Sequence, residues 1–158
     1  MSVRSQAQWL LVIVHLSGQV DGITRLQKLA FLTNEWVPGI ESVGFYDDWR
    51  ASKYGPFSPS LGDDVSDLIM NSLLKEETIE SAAGYSLQRF EATSLGVTRA
   101  ISLEQGHPKL ADMIRKSITG KYAKAPLMSL LHDVYYLFPQ YSTESEIAGD
   151  IYDVAGRR

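Results

Sequence analysis

DLIMNSLLKEETIESAAGYSLQRFEATSLG, residues 67–96, decides the fold. Its opening continues a helical stripe from upstream, with apolar residues at Leu61, Val65, Leu68, Ile69 and Leu73. Residues 77–81 are β-capable, and Ala82-Ala83-Gly84 can turn the chain. Residues 85–93 then return, with Tyr85, Leu87 and Arg89 alternating against Ser86, Gln88 and Phe90. Two short β-capable runs joined by a glycine-containing turn predict a hairpin. Ser94-Leu95-Gly96 opens another helix, carried by Val97, Ala100, Ile101 and Leu103.

Immediately upstream, YGPFSPSL (residues 54–61) forces a turn at Gly55-Pro56. Ser58 is placed to cap a helix over 59–74, with Pro59 at its first position, where a missing amide hydrogen is harmless. At 100° per residue, Asp63, Asp64, Asp67 and Asn71 are expected on the side opposite the apolar stripe. Residues 45–53, with Tyr46 and Trp49, predict a strand. Tyr54 and Phe57 are expected to plug the junction between that strand and the helix. Thr24 and Gln27 have the form of a capping box. The helix they open presents Leu26, Leu29, Ala30, Phe31, Leu32 and Trp36 on one face and leaves Arg25 and Lys28 on the wet side. Pro38-Gly39 ends it. A first helix is predicted over 5–17, stopped by Gly18. Downstream, helices are expected over 108–118 and 126–138, joined by a basic connector at 119–124. Thr143 and Glu146 repeat the capping-box pattern before a short terminal helix.

The order is helix, helix, strand, helix, hairpin, helix, which is winged-helix architecture with the hairpin as the wing. Residues 67–96 resemble the end of a winged-helix recognition helix, two wing strands, and the Y-x-L…T-x-x-G step into the next helix seen in many transcription regulators. The expected fold is α-rich α+β. It comprises a winged helix-turn-helix domain over 1–105 and a helical extension over 106–158, packed together as one globular unit. Two strings carry a closer resemblance: ITRLQKLAFL (23–32) and FYDDWRASKYGPFSPSLGDDVSDL (45–68). They resemble the YwgA-like proteins of bacteria and archaea and, more distantly, the Panacea-type domain of SocA-like antitoxins. The resemblance covers roughly the first two-thirds of the chain. The YwgA-like group implies no activity. The antitoxin relatives imply binding to another protein rather than catalysis, although this chain lacks the longer motifs that define them.

A chain of 158 residues, 44% hydrophobic and 22% charged, can build one sizeable core without staples. With no cysteine, disulfides, thiolate metal sites and cysteine nucleophiles are all excluded, which fits a reducing compartment. The longest apolar run, residues 9–16, is too short to span a bilayer. Arg4 ahead of it mimics a signal peptide, but Gln6 and Gln8 interrupt the approach and no small-residue cleavage site follows. The expectation is a cytoplasmic protein with no membrane contact. The net charge of −4 is segregated. Residues 59–80 hold Lys75 alone against Asp63, Asp64, Asp67, Glu76, Glu77 and Glu80. Residues 81–125 hold Arg89, Arg99, Lys109, Arg115, Lys116, Lys121 and Lys124 against Glu91, Glu104 and Asp112.

No catalytic constellation emerges. His15, His107 and His132 lie on different elements, no paired carboxylates can be proposed, and Gly120-Lys121 lacks the strand and glycine run of a phosphate loop. The acidic triplet lacks the glycine-turned loop of a cation site, so no metal and no cofactor is expected. The preferred expectation is a non-enzymatic regulatory or adaptor protein that meets a protein partner, or itself, through Asp63, Asp64, Asp67 and Asn71. The alternative is a DNA-binding regulator that uses Arg89, Arg115, Lys116, Lys121 and Lys124. The helix over 126–138 is apolar nearly all round, so Leu127, Leu131, Tyr135 and Phe138 are expected to form a homodimer interface.

Overall fold

The run Trp9–Val14 is apolar on every side of a helix, and such a helix must be buried on every side. A computed structural model describes residues 3–145 and places that run, in α1 (Ser5–Ser17), at the centre of the core. Gly18 ends the helix with a φ of +82°, a conformation that glycine adopts freely. The chain continues through β1 (Val20–Asp21), α2 (Ile23–Trp36), β2 (Arg50–Ser52), β3 (Gly55–Phe57), α3 (Pro59–Met70), β4 (Leu74–Glu80), β5 (Ser86–Ala92) and α4 (Ser94–Gly106). Beyond these lie α5 (Pro108–Ile114), a π-helical turn (Arg115–Thr119), α6 (Gly120–Tyr122) and α7 (Leu127–Leu137). The fold is mixed α+β, rich in helix, with a small antiparallel sheet ordered β1-β5-β4 and a separate β2–β3 hairpin.

The expected hairpin is present. Leu74 pairs with Ala92 and Glu80 with Ser86, and Gly84 turns the tip at a φ of +86°. The third strand, β1, was not expected. Two residues are too few for an alternation signal, yet Val20 pairs with Phe90 and is fully buried. The strand expected over 45–53 shrinks to Arg50–Ser52. Tyr46 and Trp49 serve aromatic packing instead, with Trp49 edge-on to Phe31 at 5.3 Å.

Two caps differ from expectation. α2 starts at Ile23 behind Gly22, whose N–H donates to Gln88 O of β5, so Thr24 is already inside the helix. Gln27 does not reach back. Its amide donates to Ser58 O at 3.0 Å and accepts from Ser58 N at 2.9 Å, completing a buried backbone pair. At α3, Pro59 holds the first position, but the Ser58 hydroxyl donates to Asp48. It is Asp48 that accepts the Ser60 N–H, at 3.0 Å. Burial alone would raise the Asp48 pKa. The hydrogen bonds from Ser58 and Ser60 outweigh it and hold the carboxyl below its ordinary value.

The connector expected from Thr119 is helical through Tyr122. Gly120 reads as a breaker, but it serves the π turn: its N–H donates to Arg115 O, and a Cβ there would lie 2.6 Å from that oxygen. α7 packs on α2 and β3 rather than under α1. Leu131 and Tyr135 are therefore core residues, not a dimer surface, because the chain itself covers that side of α7. Phe138 packs edge-on against Phe31 at 5.0 Å, and Leu127 is half-buried. The outward side of α7 carries Met128, Tyr136 and Leu137. The terminal helix expected beyond Glu146 lies outside the described residues. Among the described residues no helix is long and apolar enough to cross a membrane.

Candidate functional site

α3 does not present three aspartates to solvent. Asp63 and Asp67 are exposed, but Asp64 has no exposed surface. Its Oδ1 accepts from Arg4 at 2.7 and 3.1 Å, and its Oδ2 accepts from Gln6 at 2.8 Å and from Tyr46 Oη at 2.7 Å. Four donated hydrogen bonds satisfy the carboxylate completely. The spacing held the clue: Asp64 follows Leu61 by three residues and precedes Leu68 by four, so it sits at the edge of the apolar stripe. Burial, and then Asp64, push the Tyr46 phenol far above its ordinary pKa, so it stays a donor. Asn71 is half-buried and turns its amide back onto Asp67 O at 2.8 Å. What remains facing out is Asp63, Ser66, Asp67 and Met70, the last 80% exposed.

The cations proposed for DNA are mostly engaged within the chain. Arg89 forms a two-pronged pair with Asp21 at 2.7 and 3.1 Å, which ties β5 to β1. Arg115 reaches Glu104 at 3.3 Å and Asp112 at 3.8 Å, and Lys116 meets Asp112 at 2.9 Å. Lys121 lies over the Tyr122 ring at 5.0 Å, and Lys124 is exposed. Arg25 is half-buried and donates to the Tyr122 and Ala125 carbonyls at 3.0 and 2.6 Å, anchoring the extension to α2.

Lys28 departs furthest from its expected place. It is 2% exposed rather than on a wet face. Its Nζ donates to Pro56 O at 2.9 Å. The reason is Gly55, whose φ of +94° and missing Cβ let β3 settle onto the Lys28 stem. A Cβ at Gly55 would lie 3.3 Å from Lys28 Cε and 2.5 Å from Tyr135 Cε1. Beside this contact is a cavity of about 250 Å³ between α2 and the β2–β3 hairpin, lined by Ile23, Thr24, Lys28, Lys53, Tyr54 and Phe57, among others. Tyr54 and Phe57 are not plugs. Both are exposed and border this cavity.

The chain matches no protein-family model, no curated protein and no solved structure. Among the described residues, no three of His, Cys, Asp and Glu gather closely enough to hold a metal ion. His15 stands 3.6 Å from Glu104, and His132 lies 3.2 Å from Asp133, each partly buried.

Proposed function

We propose that the chain is a winged-helix regulatory or adaptor protein that docks on another protein through the outward face of α3. The connectivity supports the winged-helix part: α3 is followed by the β4–β5 hairpin, and β5 is flanked by a short strand from between the first two helices. In that reading α3 holds the recognition position and the hairpin is the wing. The observation that carries the function is the composition of that face, with two exposed carboxylates, Asp63 and Asp67, followed by an exposed Met70 at the end of the helix. A DNA reader needs arginine, lysine or free amides at base edges and cations at phosphates. Here the one amide is folded back and the charge repels phosphate. An exposed thioether beside two carboxylates suits a protein surface with an apolar pocket and basic groups next to it.

The alternative, DNA contact through the wing and the 109–124 segment, rests on Lys109, Lys121 and Lys124, which have no carboxylate partner among the described residues. A second copy as partner would meet the exposed Met128, Tyr136 and Leu137 of α7. A cysteine-free chain suits a cytoplasmic setting. A photo-crosslinking residue at position 70, activated in cells, tests the main reading. The expected product is one dominant protein adduct that disappears with Asp63→Lys and Asp67→Lys. Crosslinks to nucleic acid, or protein adducts indifferent to the charge reversal, overturn it.

A further inference from the structure

We propose that Lys28, in the wall of the cavity between α2 and the β2–β3 hairpin, is a carbonyl-capturing amine, and that the cavity takes a small uncharged aldehyde or ketone with an apolar body. The geometry begins with the amine. Among the described residues Lys28 Nζ has one hydrogen-bond partner, the Pro56 carbonyl, and no carboxylate. That bond occupies one N–H and leaves the rest of the nitrogen uncommitted. The cavity beside it is mostly apolar, with Ile23, Tyr54 and Phe57 in its wall, and holds Thr24, Gln27, Ser52 and Lys53 as its polar residues. A carboxylate ligand loses part of its hydration against these apolar walls, whereas a carbonyl compound enters uncharged.

Burial, the sole cause, pulls the Lys28 pKa down to about 7. Near pH 7 about half of this amine is therefore neutral, against roughly one part in three thousand for an exposed lysine. The titratable groups facing it are Lys53 and Tyr54 from the β2–β3 turn and Tyr135 from α7. In the reaction, the Nζ lone pair forms a bond to the carbonyl carbon, and the C=O π pair moves to oxygen. A proton passes from nitrogen to oxygen through water. The resulting carbinolamine expels one water to leave a C=N imine. No oxidant or reductant is consumed.

The test incubates the full chain with benzaldehyde and sodium cyanoborohydride at pH 7 and maps benzylated lysines by mass spectrometry. Lys28 should be labelled at least tenfold faster than the exposed Lys75, Lys109 and Lys116, with a rate that levels off above about pH 7 rather than climbing to pH 10. 4-Carboxybenzaldehyde, equally reactive but charged, should label only the exposed lysines. Lys28→Met should lose the fast label and keep the slow ones. Because the main comparison is made on the unaltered chain, it does not depend on that variant folding. Labelling of Lys28 no faster than of the exposed lysines overturns the proposal. Equal capture of the charged aldehyde overturns the ligand class.

Discussion

Asp63 and Asp64 are neighbours in sequence and opposites in environment, so the same substitution should separate them. Asp64→Ala removes the acceptor of Arg4, Gln6 and Tyr46 and strands the Tyr46 hydroxyl in the core. The expected loss is roughly 2–4 kcal/mol, read as a lowered urea midpoint. Asp63→Ala and Asp67→Ala should stay within about 0.5 kcal/mol. Equal effects at all three positions would contradict the burial of Asp64. Lys28 gives a pH signature. Its folded-state pKa of about 7 lies below the unfolded 10.5. Between those values the unfolded chain holds more protons, so stability rises with pH, and below about 7 the burial penalty is constant. Lys28→Met removes that dependence along with the bond to Pro56. Relief of the burial penalty outweighs the lost hydrogen bond, so at pH 7 the variant should be more stable than the parent by roughly 1–3 kcal/mol. The gap should close toward pH 10. A gap constant between denaturant titrations at pH 7 and pH 10 would refute the buried amine.

At the level of elements, the step from the β4–β5 hairpin to α4 shows how a short motif works. Thr93 caps α4 by accepting the Gly96 N–H at 3.0 Å, and its hydroxyl donates to Ser72 O at 2.6 Å. Gly96 is needed because a Cβ there would lie 2.0 Å from Leu73 O, where α3 meets β4. Gly96→Ala should therefore cost roughly 2–4 kcal/mol. Gly62→Ala, within α3 and facing open space, should instead add about 0.5–1 kcal/mol through helix propensity. Thermal melts of the pair check both signs. The Thr93–Gly96 step, α1 with its Gly18 stop, and the β4–β5 hairpin were legible because each rests on local pattern and turn chemistry. β1 was not, since its two residues owe their strand geometry to β5. The burial of Lys28 was not legible either. Helical spacing says which residues share a face, but the β2–β3 hairpin that closes over this one arrives from 27 residues further along, as Gly55. Asp64 lay between, since its stripe-edge spacing was readable and its partners Arg4 and Tyr46 were not.

Across the whole molecule, folding ties part of the basic segment into ion pairs while Asp63 and Asp67 stay unpaired among the described residues, and this bounds nucleic-acid binding through the wing and the 109–124 segment. Of the five cations singled out for DNA, Arg89, Arg115 and Lys116 spend their charge on Asp21, Glu104 and Asp112. Each phosphate contact on duplex DNA contributes about 0.9 to the slope of log affinity against log salt. If all five were available, that slope would reach roughly 4–5, but with Lys121, Lys124 and the equally unpaired Lys109 of the same segment it is about 3. A slope of about 3 corresponds to weak binding that falls off between low and physiological salt. Fluorescence anisotropy on a random-sequence duplex across a salt series should therefore give a slope no steeper than about 3, lowered by about two units by Lys121→Gln with Lys124→Gln and unchanged by Lys116→Gln. Asp112→Asn, which releases Lys116 and one contact of Arg115, should steepen it by about one to two units. A slope near 5 in the unaltered chain would mean that the ion pairs open for phosphate, and would move the balance from protein docking to DNA.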